Sequence, residues 1–469
     1  MSKKENLRLH FSNAAPEAEK WAKRNRFYHR SLQRYFSHFI PEGSRVLEIG
    51  CGIGDLLNAV KPSYGVGVDF SSAMLELARN KYPHLEFIHS DAEELNVNEA
   101  FDYIILSDIL HVLWDVQAVF KSIQTNVKNS TRIIISNYNF LWEPVLRFGE
   151  WIGLKQKIPN SNWLSHFDIF NLIELEGFQV IKKERKILFP KYIPLLNTLF
   201  NKILVNLPFF NIFGLVNFII ARPLRTEKTD YSVSIIVPAR NEKGNIENAV
   251  LRTPEFGLRQ QFVFVEGGSS DGTYEEMLRV KSAFPDKDII IIKQSGKGKG
   301  NAVREGFEKA GGDVLMILDA DLTTPPEDLP RFYDAIAYNR GEFINGCRLV
   351  YPMEKQAMRF LNFIGNKFFS WFFTYLLGQR LKDTLCGTKV LLKKDYEKIK
   401  KNRAYFGDFD PFGDFDLLFG AARLNMKIIE IYIRYKEREY GSTQISRFKH
   451  GWLLIKMSLF AAFKIKFIL

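Results

Sequence analysis

The chain has 469 residues, 46% of them hydrophobic and 25% charged, which builds packed cores and excludes a disordered, solvating protein. Sixty-five Lys and Arg against 53 Asp and Glu leave a formal net charge of +12, favouring nucleic acid, phosphorylated metabolites or a membrane face as partners. Three widely spread cysteines, Cys51, Cys347 and Cys386, exclude a disulfide framework or a cysteine-rich zinc site as organising devices.

At roughly 150 residues per domain the length predicts about three domains, a prior that two large domains would also meet. The first residues carry no apolar core of about 7–15 residues, so no signal peptide is expected. Between residues 21 and 224, short apolar runs at Arg45–Ile49, Tyr64–Val68, Leu85–His89, Tyr103–Leu106 and Ile133–Asn137 read as strands. Each is followed by a helix-length segment, which predicts a parallel sheet covered on both faces.

In VLEIGCGIGDLL, Glu48 ends a strand, and Gly50, Gly52 and Gly54 form the turn into a helix. Glycines there permit tight turns and close backbone approach to a ligand. Asp69 ends the next strand, nineteen residues beyond Gly50, where a carboxylate can accept both hydrogen bonds of a ribose diol. Asp91-Ala92 follows the third strand, and Ser107 to His111 follow the fourth. These loops open on one edge of a parallel sheet, where ligands of open α/β folds bind.

The longest uncharged run, Ile203 to Ala221, has 19 residues, close to the length of a membrane span. Asn206, Pro208, Asn211, Gly214 and Asn217 interrupt it, so buried or interfacial structure is expected instead. Phe189 to Ile219 reads as an insertion before the last strand of this half.

The polar segment RTEKTD, residues 225–230, reads as a linker. The strand rhythm then restarts at Tyr231–Val237, Gln261–Val265, Ile289–Ile292, Val314–Leu318 and Phe343–Arg348. Pro238 stops the first of these strands, and Arg240 and Glu242 sit in its loop. Glu266 and Asp271 flank a glycine-rich turn after the second. Lys297 to Gly300 open a helix, where free backbone N–H groups and the Lys299 ammonium favour phosphate. The strand VLMIL runs straight into Asp319-Ala320-Asp321. Two carboxylates so placed can engage one hard divalent cation, Mg2+ or Mn2+, which in turn chelates a diphosphate and neutralises its charge.

Two apolar stretches follow. The one from Arg359 packs Phe368, Phe369, Trp371, Phe372 and Phe373 into six positions, and 41 phenylalanines occur overall. The last 27 residues carry five Lys or Arg and no acid, interleaved with aromatic residues. Segments 356–380 and 450–469 are therefore expected to associate with an anionic membrane surface. The basic residues form neither an aromatic-interleaved stripe on a sheet nor a zinc module, so nucleic acid is not an expected partner.

Residues 24–224 resemble a class I S-adenosylmethionine-dependent methyltransferase. The resemblance rests on Glu48, Gly50, Gly52, Gly54, Asp69, Asp91, Ala92 and Ser107-Asp108. It implies a Rossmann-like domain over 1–224, with those residues around the cofactor. His111 is a candidate general base at the mouth of the site. Trp163, His166 and Phe167 are expected near the acceptor, and Tyr28-His29-Arg30 are expected to close over the cofactor.

Residues 231–469 resemble an inverting glycosyltransferase of the GT-A fold, and more narrowly the polyprenyl-phosphate sugar transferases. The carriers are Asp319-x-Asp321, the DTLCGTK loop with Asp383 and Gly387, the segment from Gly413, and an Arg-x-x-Gly-Ser pattern at Arg438, Gly441 and Ser442. The resemblance implies a nucleoside-diphosphate sugar of UDP-glucose or GDP-mannose type as donor and a lipid phosphate as acceptor. It also implies peripheral attachment to the cytoplasmic side of the cell membrane. Two departures stand out: Glu266-Gly267 replaces the usual paired aspartates, and Thr388 replaces a phenylalanine. Asp319 and Asp321 are expected to hold the metal. Pro238, Arg240, Glu242, Glu266, Asp271 and Lys299 are expected around the donor, with Arg348 and Arg438 gripping phosphate. The alternative acceptor is a sugar hydroxyl of a surface polysaccharide. It would need Asp414 or Asp416 as base, with the N-terminal half a scaffold.

Overall fold

The structure, a computed structural model, describes residues 3–157, 162–224, 227–351, 360–403, 413–436, 438, 440 and 447–467. The chain forms two compact units, Met1–Arg225 with Phe467–Leu469, and Thr226–Lys466. The pattern Arg438-x-x-Gly441-Ser442 therefore lies outside the described residues, apart from its arginine.

Each unit is built on a seven-stranded sheet. In the first, β1 (Arg45–Ile49), β2 (Tyr64–Asp69), β3 (Glu86–His89), β4 (Phe101–Ser107) and β5 (Val127–Tyr138) pair in parallel, in the order β3-β2-β1-β4-β5. Helices connect them, and apolar residues fill both faces. On one face Phe36, Leu57, Leu75 and Ile105 pack together; on the other Ile49, Val68, Ile104 and Ile135 do. The sheet is completed by β6 (Phe178–Lys186) and β7 (Val216–Pro223). Strand β7 runs antiparallel between β5 and β6, so the sheet is mixed rather than purely parallel. The expected insertion ends earlier than Ile219, because β7 already begins at Val216.

The second unit repeats this logic with β8 (Val233–Ala239), β9 (Gln260–Glu266), β10 (Asp288–Lys293), β11 (Val314–Ile317), β12 (Phe343–Cys347), β13 (Lys389–Leu392) and β14 (Ile428–Tyr432). The order is β10-β9-β8-β11-β13-β12-β14, and only β13 is antiparallel to its neighbours. The carboxyl ends of β8, β9 and β11 therefore face the same edge. The loops carrying Glu242, Glu266 and Asp319 converge there.

The aromatic helix Phe360–Leu377 buries Phe369, Phe373, Leu376 and Leu377 and leaves Phe368 and Trp371 exposed. Phe373 meets the rings of Phe415 and Phe419, with centroids 4.7 and 5.2 Å away. The C-terminal helix Arg447–Ile465 touches it, burying Leu454, Met457 and Ala461 while Trp452 and Phe463 stay exposed. Both helices are thus half core and half apolar surface. Among the described residues no helix is long and apolar enough to cross a membrane.

Candidate active sites in the two units

In the first unit, Gly50, Gly52 and Gly54 all adopt positive φ, between 51° and 78°. A Cβ at Gly50 would overlap the Ile109 side chain, so this turn requires glycine. Asp69 clamps the turn. Its Oδ2 accepts from the Gly52 N–H and its Oδ1 from the Ser71 N–H, both at 2.9 Å. Glu48 is buried beneath. Burial pushes its carboxyl well above the usual range, and nearby Asp69 and Asp55 add to this against a hydrogen bond from the Leu57 backbone. Its Oε2 has no hydrogen-bond partner among the described residues.

A buried orphan carboxylate oxygen beside a glycine turn fits a cationic ligand, because an unpaired buried acceptor is costly. The adjoining pocket, about 390 Å3, is lined by Gly50, Asp69, Asp91, Ala92 and Ile109. It is also lined by Lys4, Leu7 and Arg8 of the helix Lys3–Ala14, which the sequence alone did not bring here. Lys4 pairs with Asp91 at 2.7 Å and Glu93 at 2.8 Å. Asp91 also caps the following turn through the Glu93 N–H.

At the end of β4, Ser107 Oγ meets Ser136 Oγ at 3.1 Å, and Asp108 takes a left-handed φ of 50°. Tyr28 donates to Asp108 Oδ2 at 2.6 Å, and Ser136 donates to Asp108 Oδ1 at 3.0 Å. The N-terminal helix Arg26–Phe39 is tied to this edge by that bond, which links positions 80 residues apart. His111 is not at an open mouth. It lines a small cavity with Asn137, Tyr138, Lys155, Asn162 and Trp163. Both its ring nitrogens, and Asn137 Oδ1, are buried without a hydrogen-bond partner among the described residues. Burial, helped by Lys155, lowers its pKa to about 3, so the ring is neutral and weakly basic. Asn162 lines this cavity and the larger pocket alike. Trp163 reaches the cavity, whereas Phe167 points outward, 71% exposed.

In the second unit, the edge of the sheet gathers acids that are each held by a cation. Lys299 opens the helix Lys299–Lys309 and meets Asp319 Oδ1 at 2.5 Å. Burial opposes ionisation of Asp319, but Lys299, with Lys389 and Arg348 beyond it, outweighs burial and holds the carboxyl below its usual range. Asp321 Oδ2 accepts from Arg438 at 2.7 Å, and its Oδ1 accepts from the Thr323 hydroxyl at 2.8 Å. Arg438 also donates to Glu242 Oε1 at 2.9 Å, bridging the loops after β8 and β11. Glu242 is buried, and burial raises its pKa to about 7 against the pull of Arg438 and the Asn245 amide.

The remaining expected residues divide. Pro238 is the penultimate residue of β8, and Arg240 is exposed just beyond it. Glu266 ends β9 and accepts from the Ser269 N–H at 2.5 Å. Asp271 accepts from the Thr273 and Lys243 N–H groups and from Tyr440. Gly387 lies against the acid pair: a Cβ there would overlap Asp319 Oδ2 and Lys299 Nζ.

Two expectations need correcting. Arg348 does not face the opening. It makes a bidentate pair with the fully buried Asp383, at 2.7 and 2.8 Å, and lies over the Tyr435 ring. Asp383 is committed to that pair and to the Arg348 and Leu385 N–H groups. Asp416 is likewise paired, with Arg403 at 2.8 Å, rather than standing free as a base. Asp414 opens the helix Asp414–Arg423, while its side chain lies outside the described residues.

The family resemblance now has independent support. Residues 46–130 match the family model described as Methyltransferase domain, and residues 234–399 match Glycosyl transferase family 2. The first unit thus carries the segment similar to methyltransferase domains and the second the segment similar to family 2 glycosyltransferases. The second half is 38% identical over 120 residues to a dolichol-phosphate mannosyltransferase of Pyrococcus furiosus, covering 25% of this chain and 33% of that one. It is 27% identical over 225 residues to an undecaprenyl-phosphate 4-deoxy-4-formamido-L-arabinose transferase of Pectobacterium carotovorum, covering 46% and 64%. A polyprenol monophosphomannose synthase of Mycolicibacterium smegmatis is 27% identical over 218 residues, covering 45% and 80%. The chain spans a third to two thirds of the length of the first two relatives.

Proposed function

We propose that the second unit moves a hexose from a nucleoside-diphosphate sugar to a polyprenyl phosphate with inversion. The observation that carries this reading is the bridged cluster Lys299–Asp319 and Glu242–Arg438–Asp321 at the converging strand ends. The relatives named for polyprenyl-phosphate sugar transfer support the acceptor class. Among the described residues no group of three or more His, Cys, Asp or Glu side chains could cage a metal alone. Two carboxylates fit instead the mode in which Mg2+ or Mn2+ is shared with substrate phosphates.

Asp319 and Asp321 would hold that ion, which supplies charge neutralisation to the diphosphate leaving group. Lys299 and Arg438, paired with the two acids here, would be the cations for phosphate oxygens. Arg438 would meet them in fork geometry. Gly387 keeps the acceptor loop close to Asp319. A phosphate acceptor is already ionised, so no general base is required, consistent with Asp416 being bound to Arg403. The protein works as a peripheral enzyme on the cytoplasmic side of the cell membrane.

The first unit binds S-adenosylmethionine and methylates an acceptor in the same glycan pathway. Asp69 holds the ribose, the glycine turn admits the methionine portion, Glu48 balances its ammonium, and Asp91-Ala92 flank the adenine. The cofactor supplies an electrophilic methyl group, and the protein's task is alignment of the nucleophile. The test for the second unit is incubation of the full chain with UDP-glucose or GDP-mannose, Mn2+ and a short polyprenyl phosphate. Hexose should enter the organic phase. Transfer to a polysaccharide hydroxyl while every phosphate acceptor stays unlabelled would overturn the lipid-phosphate reading.

A further inference from the structure

The first unit carries a surface that is inside out for a protein facing water. In the segment between Ile187 and Gly214 the amides point inward. Asn201 binds the Leu188 and Phe189 backbone, Asn206 accepts from buried Lys186, and Asn211 donates to the carbonyls of Arg185 and Val205. The large apolar side chains point outward: Leu195 is 89% exposed, Phe209 68% and Tyr192 65%. The polar residues that argue against a membrane span in the sequence are thus satisfied internally, which releases the apolar ones to the outer face.

A second segment adjoins this one. The Trp142 indole donates to the Phe213 carbonyl at 2.7 Å, and the Asn139 amide donates to the carbonyls of Ile212 and Gly214. The helix Glu143–Trp151 that follows buries none of its residues, and Phe148 and Trp151 are both exposed. A contiguous apolar surface on this scale marks a site of association.

Charge decides the partner. No acidic residue occurs between Glu184 and Glu227, while Lys191 and Lys202 lie within the outward-facing segment. In the neighbouring helix Glu143 is neutralised by Arg147, and Glu150 by Lys155. The face therefore offers aromatic and aliphatic side chains among cations with every acid balanced, the composition that suits an anionic bilayer interface. Lys155 also lies over the Tyr138 ring in the wall of the His111 cavity, so the face reaches the cavity beside the cofactor pocket.

We propose that residues 140–154 and 189–213 form a lipid-docking face that seats the first unit on an anionic membrane. This face is distinct from the apolar helices of the second unit and does not depend on methyl transfer. The three native cysteines are buried, so single probes can be placed cleanly. Full-length Leu195→Cys and Phe209→Cys, each carrying an environment-sensitive fluorophore, would be mixed with vesicles of equal phosphatidylglycerol and phosphatidylcholine. Leu175→Cys, exposed elsewhere on the same unit, is the reference. Emission at 195 and 209 should shift to the blue, and emission at 175 should not. The paired change Leu195→Glu with Phe209→Glu should weaken the shift of a probe at Tyr192→Cys at least about 10-fold in vesicle affinity, with S-adenosylmethionine binding retained as a check on folding. Unshifted probes, whether or not the chain floats with the vesicles, would overturn the proposal. So would a shift that needs no vesicles and grows with protein concentration, because a second copy would then cover the face.

Discussion

The two sheet edges treat their most buried carboxylates in opposite ways, although Asp91 at the rim of the first also meets Lys4. In the first unit, Glu48 and Asp69 are buried and held by backbone N–H groups, with no Lys or Arg partner among the described residues. In the second, Asp319, Asp321 and Asp383 each meet a lysine or arginine. Buried carboxylates without cations leave a site that favours a positively charged ligand, such as a sulfonium bearing an ammonium group. Acids already balanced by cations leave a site whose basic groups suit a polyanion. The same strand-end position would thus suit ligands of opposite charge, depending on what stands beside the acids.

The largest effect is expected where the second edge loses an oxygen of the proposed metal pair. Asp321→Asn should lower hexose transfer at least about 100-fold, while methyl transfer in the same preparation is unchanged. Parallel assays of both activities check this, and a joint loss would mean the two edges are not independent.

Next is the distinction between exchangeable and structural cation pairs. Arg348→Ala removes the bidentate guanidinium from the fully buried Asp383, and should cost about 3–5 kcal/mol of unfolding free energy in a denaturant titration. Lys299→Ala, at a more open pair, should cost far less stability and much more activity.

The first edge should fail through affinity. Asp69→Ala removes a charged acceptor and should raise the dissociation constant for S-adenosylmethionine about 10- to 100-fold by calorimetry, with hexose transfer intact.

The smallest effect concerns pH. Glu242 has its folded pKa raised to about 7. Between its ordinary range and that value the folded state holds the proton more tightly than the unfolded state. Its contribution is therefore fully present at low pH and is lost as pH rises through about 7. The melting temperature of the native protein, relative to Glu242→Gln, should fall from pH 5 to pH 8. A rise would mean that Arg438 dominates and depresses the pKa.

Much of this was legible because it is local. Glu48 with its glycines, Asp69, and Asp319-Ala320-Asp321 sit where apolar strands run straight into turns, and those strands appear close to their expected places. What escaped was set by distance. Arg348 read as a phosphate grip because its partner Asp383 lies 35 residues on. The contacts of Lys4 with Asp91 and Tyr28 with Asp108 exist only once the sheet is assembled. Strand β6 was hidden by its own charges: Lys182, Glu184 and Lys186 look like a solvated run but are buried and pair with one another. The short β13, in the reverse direction, carries no parallel-sheet rhythm at all.

The most direct test of opposite charge preference at the two edges is one calorimetric series on the full chain. UDP and GDP would be titrated with Mn2+, in the absence and then the presence of saturating S-adenosylmethionine. The account predicts one diphosphate site, lost in Asp321→Asn, with the same affinity in both conditions, and one S-adenosylmethionine site lost in Asp69→Ala. Competition between the two ligands, or diphosphate binding that survives Asp321→Asn and vanishes in Asp69→Ala, would contradict it.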